Sequence, residues 1–133
     1  MKLIFCIDDK GGMLFNKRRQ SQDSELRKRI LEKLDGKPFV MSPYSAKQFV
    51  GCENILTSDS PQTEVQSGVY FVEDLPFSLE DVNEITIYRW NRHYPSDVKF
   101  GVDLSKNGFI LDYIYEFKGS SHEKITEENY IKE

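Results

Sequence analysis

The chain has 133 residues, 38% apolar and 13% aromatic, which is enough for one packed core and too few residues for two. The formal net charge is −4, and Lys and Arg are scattered except near residues 17–19 and 27–29. Disorder and non-specific nucleic-acid binding, which needs a basic face, are both disfavoured.

Lys2 to Ile7 is an apolar run of strand length that stops at Asp8-Asp9-Lys10-Gly11-Gly12, the pattern of a central strand buried on both faces. Met13 to Gln20 reads as a loop or short extended piece. Either Asp23 or Ser24 then caps a helix carrying Leu26, Ile30, Leu31 and Leu34 on one stripe, with Asp35-Gly36 as its stop. A short strand, Phe39 to Met41, leads into Ser42-Pro43 and a short helix over Tyr44 to Val50. Asn54 to Thr57 is a brief strand, and the polar, turn-rich residues 58–68 are the candidate mobile loop. Val69 to Val72, Ile85 to Arg92 and Phe109 to Phe117 complete the predicted strands. The tail from Ser120 is ambiguous, since Thr126-Glu127-Glu128 fits a helix start or a strand rim.

The two cysteines, Cys6 and Cys52, and two histidines, His93 and His122, form no CxxC, HxH or HExxH spacing. Neither a disulfide framework nor a structural zinc site is expected. No apolar run approaches the roughly 20 residues that cross a bilayer. The chain is therefore expected to be one soluble cytoplasmic domain over residues 1–133, without metal or membrane.

A strand, a Gly-bearing loop (Gly12-Met13-Leu14-Phe15-Asn16), a helix opening on Ser24-Glu25-Leu26, then Gly36-Lys37-Pro38-Phe39-Val40-Met41 follow a distinctive order. Farther on come Ile85-Thr86-Ile87-Tyr88-Arg89, Asp97-Val98-Lys99-Phe100 and Val102-Asp103-Leu104-Ser105. This series resembles the dihydrofolate reductases over most of the chain, with a shortened middle. The resemblance implies an α/β fold, a three-layer αβα arrangement around a mixed, mostly parallel sheet. It also implies a carboxylate near the first helix start that assists pterin protonation; Glu25 matches best and Asp23 is the second possibility. Such an acid does proton work if desolvation raises its pKa, whereas at a helix N-terminus it merely supports the helix.

The family's cofactor residues are replaced. Its Gly-Arg pair and Thr give way to Ser42-Pro43-Tyr44-Ser45, losing a backbone donor and a phosphate-binding guanidinium. Its Gly-Gly pair gives way to Glu73-Asp74, two acids that repel a pyrophosphate, and its Leu-Pro-Trp to Arg18-Arg19-Gln20. NADPH binding is not expected, and no cofactor is assigned. A second resemblance is to a small bacterial family often labelled ribonuclease Z. The HxHxDH zinc motif that such an activity needs is absent.

The densest run of functional groups is Arg89-Trp90-Asn91-Arg92-His93-Tyr94-Pro95 at a strand end; with Arg18 and Arg19 it suits an anion or a stacked heterocycle. The bland alternative has Trp90 in the core, Arg89 and Arg92 paired with local acids, and a turn at His93-Tyr94-Pro95. Gly119-Ser120-Ser121-His122-Glu123 reads as a turn and cap, since a catalytic triad requires geometry rather than adjacency. Two functions follow. One is a non-catalytic domain binding a small anionic or heterocyclic ligand, a peptide or a partner protein through Arg18, Arg19, Arg89, Asn91 and Arg92. The other is an enzyme of changed chemistry, directed at a pterin, a nucleotide or a nucleic acid, with Glu25, His93 or His122 as acid–base groups.

Overall fold

Leu3, Phe5 and Ile7 of β1 (Lys2–Ile7) enter one hydrophobic cluster while Ile4 and Cys6 enter another, so the strand is covered on both sides. The computed structural model describes residues 1–64 and 68–133; of the predicted loop at 58–68, residues 65–67 lie outside the described residues. After β1 come β2 (Gly12–Phe15), β3 (Arg18–Arg19), α1 (Ser24–Leu34), β4 (Phe39–Met41), α2 (Pro43–Ala46), β5 (Ile55–Thr57) and α3 (Pro61–Glu64). The second half holds β6 (Val69–Phe71), β7 (Glu84–Arg89), β8 (Val98–Lys99), β9 (Phe109–Phe117) and β10 (Ile125–Lys132).

Among the described residues, seven strands form one sheet in the order β5-β4-β6-β1-β7-β10-β9. Pairing is parallel from β5 through β7 and antiparallel where β10 joins β7 and β9. The order β3-β2-β8 makes a small second sheet. The sheet is therefore mixed and mostly parallel, as expected.

The layers on its two faces are unequal. On one, Leu26, Ile30 and Leu34 of α1 pack with Phe39, Phe49, Phe71, Tyr88 and Trp90. Burying each such side chain contributes roughly 1.5–3 kcal/mol. Leu31, expected on the same stripe, is only half-buried. The opposite face is closed mainly by irregular chain, with Val82, Phe100 and Leu104 buried over Leu3, Phe5 and Ile85. There α3 is tied in by Gln62, whose side-chain N–H donates to Ser78 O at 2.8 Å. No helix among the described residues is long and apolar enough to cross a membrane.

Three segments differ from the sequence expectation. Met13–Gln20 forms the β2–β3 hairpin. β7 ends at Arg89, and Trp90 onward leaves the strand. The ambiguous tail is β10, an interior strand whose buried positions are Ile125, Glu127 and Asn129. Two of those inward residues are polar, which hides the strand period from a hydrophobicity reading.

Candidate functional site: a cleft at the strand ends

Parallel strands β6, β1 and β7 end side by side, and the chain turns away from each, the usual place for a site in an open α/β sheet. The cleft there is narrow: its cavity volume is about 10 Å3, room for about one water molecule. Cys6 of β1 and Met13 of β2 form its base, Leu26 and Ile30 of α1 one wall, and Phe49, Phe71 and Trp90 the other apolar surface. Arg19, Gln20, Ser21, Asp23, Arg27, Gln48 and Glu73 supply polar groups. Burial, with the Glu73 charge beside it, pushes the Cys6 thiol well above the ordinary range, so it stays protonated.

Two charged assemblies line the cleft. In the first, the Arg19 guanidinium donates to both carboxylate oxygens of Glu73 at 3.0 and 3.1 Å and stacks 4.5 Å from the Tyr44 ring centre. Ser45 Oγ donates to the same carboxylate at 2.7 Å. The pair is only 16% and 11% exposed, so its cation and anion satisfy each other inside the protein.

The second assembly is built on Asp23, the N-cap of α1. Its Oδ1 accepts the N–H groups of Glu25, Leu26 and Ser120 at 2.9, 3.2 and 2.9 Å. Its Oδ2 accepts from Ser121 N–H at 2.9 Å, Ser121 Oγ at 3.3 Å and His122 Nδ1 at 3.0 Å. Burial alone pushes this carboxyl up. The donors from Ser120, Ser121, His122 and Leu26 more than reverse that, and hold it well below the usual carboxylate range. With Asp23 ionised, Nδ1 of His122 is the donor in that contact, and in the neutral ring Nε2 is then the acceptor. Tyr94 OH lies 2.9 Å and Ser21 Oγ 3.2 Å from that nitrogen. The imidazole stacks on Trp90 with centroids 4.6 Å apart, and the His122 side chain is 1% exposed. Gly119 makes the close fit possible, because a Cβ there would run into the Asp23 carboxylate.

Two buried side-chain polar atoms lack a partner among the described residues, Gln20 Oε1 and Gln48 Nε2, and both residues line this cleft. No three His, Cys, Asp or Glu side chains among the described residues are grouped to hold a metal.

Of the residues singled out from sequence, Arg19 and Asp23 line the cleft, and His122 stands against Ser21, Asp23 and Trp90, which line it too. The others do not converge there. Glu25 and His93 are exposed, as are Arg18 and Arg92. Arg89 pairs with Glu128 of β10 at 2.9 Å, and Asn91 donates to Lys124 O and Thr126 Oγ. Sequence reading missed Ser21, Gln20 and Gln48. The only signal for Ser21 is its position two residues before Asp23, the N-cap of α1.

The structure is similar to that of a dihydrofolate reductase from Enterococcus faecalis complexed with NADP(H) and RAB-propyl, with TM-score 0.70 at 10% identity. The match covers 98% of this chain and 94% of that one, and it shows a dihydrofolate reductase-like fold. The sequence itself matches no family model and no curated protein.

Proposed function

We propose that this chain is a small-ligand-binding domain on the dihydrofolate reductase-like fold, that the cleft is its site, and that it does not run NADPH-dependent reduction. The observation that carries the ligand reading is the pair of unpartnered buried amide atoms, an acceptor on Gln20 and a donor on Gln48, on two residues that line one cleft. Each unpaired buried group costs about 1–3 kcal/mol, which a ligand with a matching donor and acceptor recovers. An uncharged heterocycle fits, because Arg19 and Glu73 already neutralise each other.

The reductase chemistry lacks its parts in this reading. Asp23 is ionised and its lone pairs are taken by protein donors, so it has no proton to give a pterin. Glu25 is exposed and outside the cleft lining. At the segment corresponding to the family's phosphate turn, Ser42 Oγ accepts from Ser45 N–H and Pro43 offers no donor. Glu73 puts a carboxylate where the family has glycines.

The test is a thermal-shift series with pterins, purines and NADPH. An uncharged heterocycle present at 100 times its Kd adds about 2.7 kcal/mol of stability, and Gln48→Ala reduces that gain. Stabilisation by NADPH and by no heterocycle would overturn the reading. A second reading, changed chemistry with His122 as the acid–base group, is favoured by the contact between its Nε2 and Ser21 on the cleft wall.

A further inference from the structure

The geometry points to Ser21 as a nucleophile, with His122 as its general base and Asp23 orienting that base, acting on a small apolar carboxylic ester in the cleft. This rests on the cleft being a ligand site. Ser21 and Asp23 lie two residues apart in the irregular stretch that leads into α1, and both reach the same imidazole. One imidazole fits between them. His122 Nδ1 meets Asp23 Oδ2 at 3.0 Å and Nε2 meets Ser21 Oγ at 3.2 Å. Nucleophile, base and orienting acid therefore lie in line, and this arrangement is recognised by geometry rather than by chain order.

A purely packed histidine explains less of this arrangement. Nε2 has a single lone pair, yet two hydroxyls face it, Tyr94 at 2.9 Å and Ser21 at 3.2 Å. Only one donates at a time, so the other hydroxyl is left without that acceptor. Ser21 is half-buried and lines the cleft, whereas Tyr94 is not among the lining residues. The remaining requirement is a donor for the developing oxyanion, and Gln48 Nε2 is a buried, unpartnered N–H on the same cleft. Met13, Leu26, Ile30, Phe49, Phe71 and Trp90 give the acyl group an apolar bed.

The steps balance without a cofactor. Ser21 Oγ bonds to the ester carbon, its proton passes to His122 Nε2, and the carbonyl electron pair moves onto oxygen. Collapse breaks the bond to the alcohol, which leaves with the proton from Nε2. Water then attacks the acyl-serine, giving its proton to Nε2; the acyl–oxygen bond breaks and Ser21 is reprotonated. The net reaction is ester plus water to acid plus alcohol.

The full-length chain is treated with a fluorophosphonate, which phosphonylates an activated serine with loss of fluoride, and the adduct is mapped by mass spectrometry. One adduct on Ser21 is expected, abolished by Ser21→Ala and slowed about 100-fold or more by His122→Gln. Because His122 is buried and its replacement can unfold the chain, Tyr94→Phe supplies an independent reading: freeing Nε2 speeds labelling severalfold. No adduct on Ser21 in the folded protein overturns the assignment, as does a labelling rate unmoved by both His122→Gln and Tyr94→Phe. Heterocycle binding that survives Ser21→Ala, without labelling of the parent, sinks the nucleophile and leaves the ligand site standing. Labelling without any heterocycle binding keeps the nucleophile and removes the heterocycle as the ligand of the cleft.

Discussion

Asp23 and Glu127 are both carboxylates with fully buried side chains pressed against α1, yet they are held in different ways. Glu127, on β10, meets two full charges, Arg29 at 2.9 Å and Lys33 at 3.0 Å, and accepts from the Tyr113 hydroxyl at 2.7 Å. Those cations lie over Tyr115 and Tyr113 and remain 29% and 27% exposed, so they reach water while clamping the helix to the sheet. Asp23 meets mainly backbone dipoles at a helix start, plus one imidazole. Full charge cancels at Glu127 and leaves a packing device. At Asp23 the negative charge is held by dipoles and is not cancelled by a full charge. The difference separates an acid held by cations from one held by dipoles.

Replacing the acids sharpens that contrast. Asp23→Asn is expected to have the largest effect, about 3–5 kcal/mol in chemical denaturation: its amide oxygen keeps the cap, but its NH2 group faces the buried donors of Ser121 and His122 that Oδ2 accepted. Its pH dependence should differ as well. Asp23 and Glu127 both hold folded pKa values below the ordinary range, in Glu127 because Arg29, Lys33 and Tyr88 outweigh its burial. Their stabilisation is full above the unfolded value of about 4 and is lost as pH falls through the folded values. A melting-temperature profile for Asp23→Asn should therefore be flatter on its acid side than that of the parent chain; an equally steep one would break the comparison.

Glu127→Gln comes next, at about 2 kcal/mol, since its two cations turn outward once the charge is gone. A loss as large as that of Asp23→Asn would show that cations and dipoles hold an acid equally firmly. Gly119→Ala should follow at about 1–2 kcal/mol, by forcing the turn off the Asp23 carboxylate. Two-dimensional NMR should place its chemical-shift changes at Ser120 to His122 and the α1 start. Glu25→Gln should be the smallest, under about 0.5 kcal/mol and without effect on ligand binding, as befits an exposed side chain.

The strands that sequence reading locates well are those whose buried residues are all apolar, such as Phe39–Met41 and Val69–Phe71. β10 escaped because Glu127 and Asn129 face inward, and their partners Arg29, Lys33 and Thr86 are far away in the chain. Asp23 was legible as a cap, which is half of what it does. The other half needs His122, 99 positions away, and no local pattern in Ser120-Ser121-His122 announces it. Arg89 and Asn91 drew notice as a charged, polar cluster at a strand end; β10 supplies their partners, which is a long-range fact. Gln20 and Gln48 were silent for a different reason. An amide is informative only once its neighbours fail to satisfy it, and that is visible only in three dimensions.

The hydrogen bonds from Ser120 and Ser121 to Asp23 join parts of the chain 97 and 98 positions apart. During synthesis α1 leaves the ribosome long before the β9–β10 hairpin, so its first turn waits with an uncompleted cap. Closing so long a loop is entropically expensive and comes late in folding. The wall of the cleft that carries Ser21 and Asp23 is thereby finished only when the last hairpin docks, and a nascent chain lacking β10 is expected to hold no working cleft.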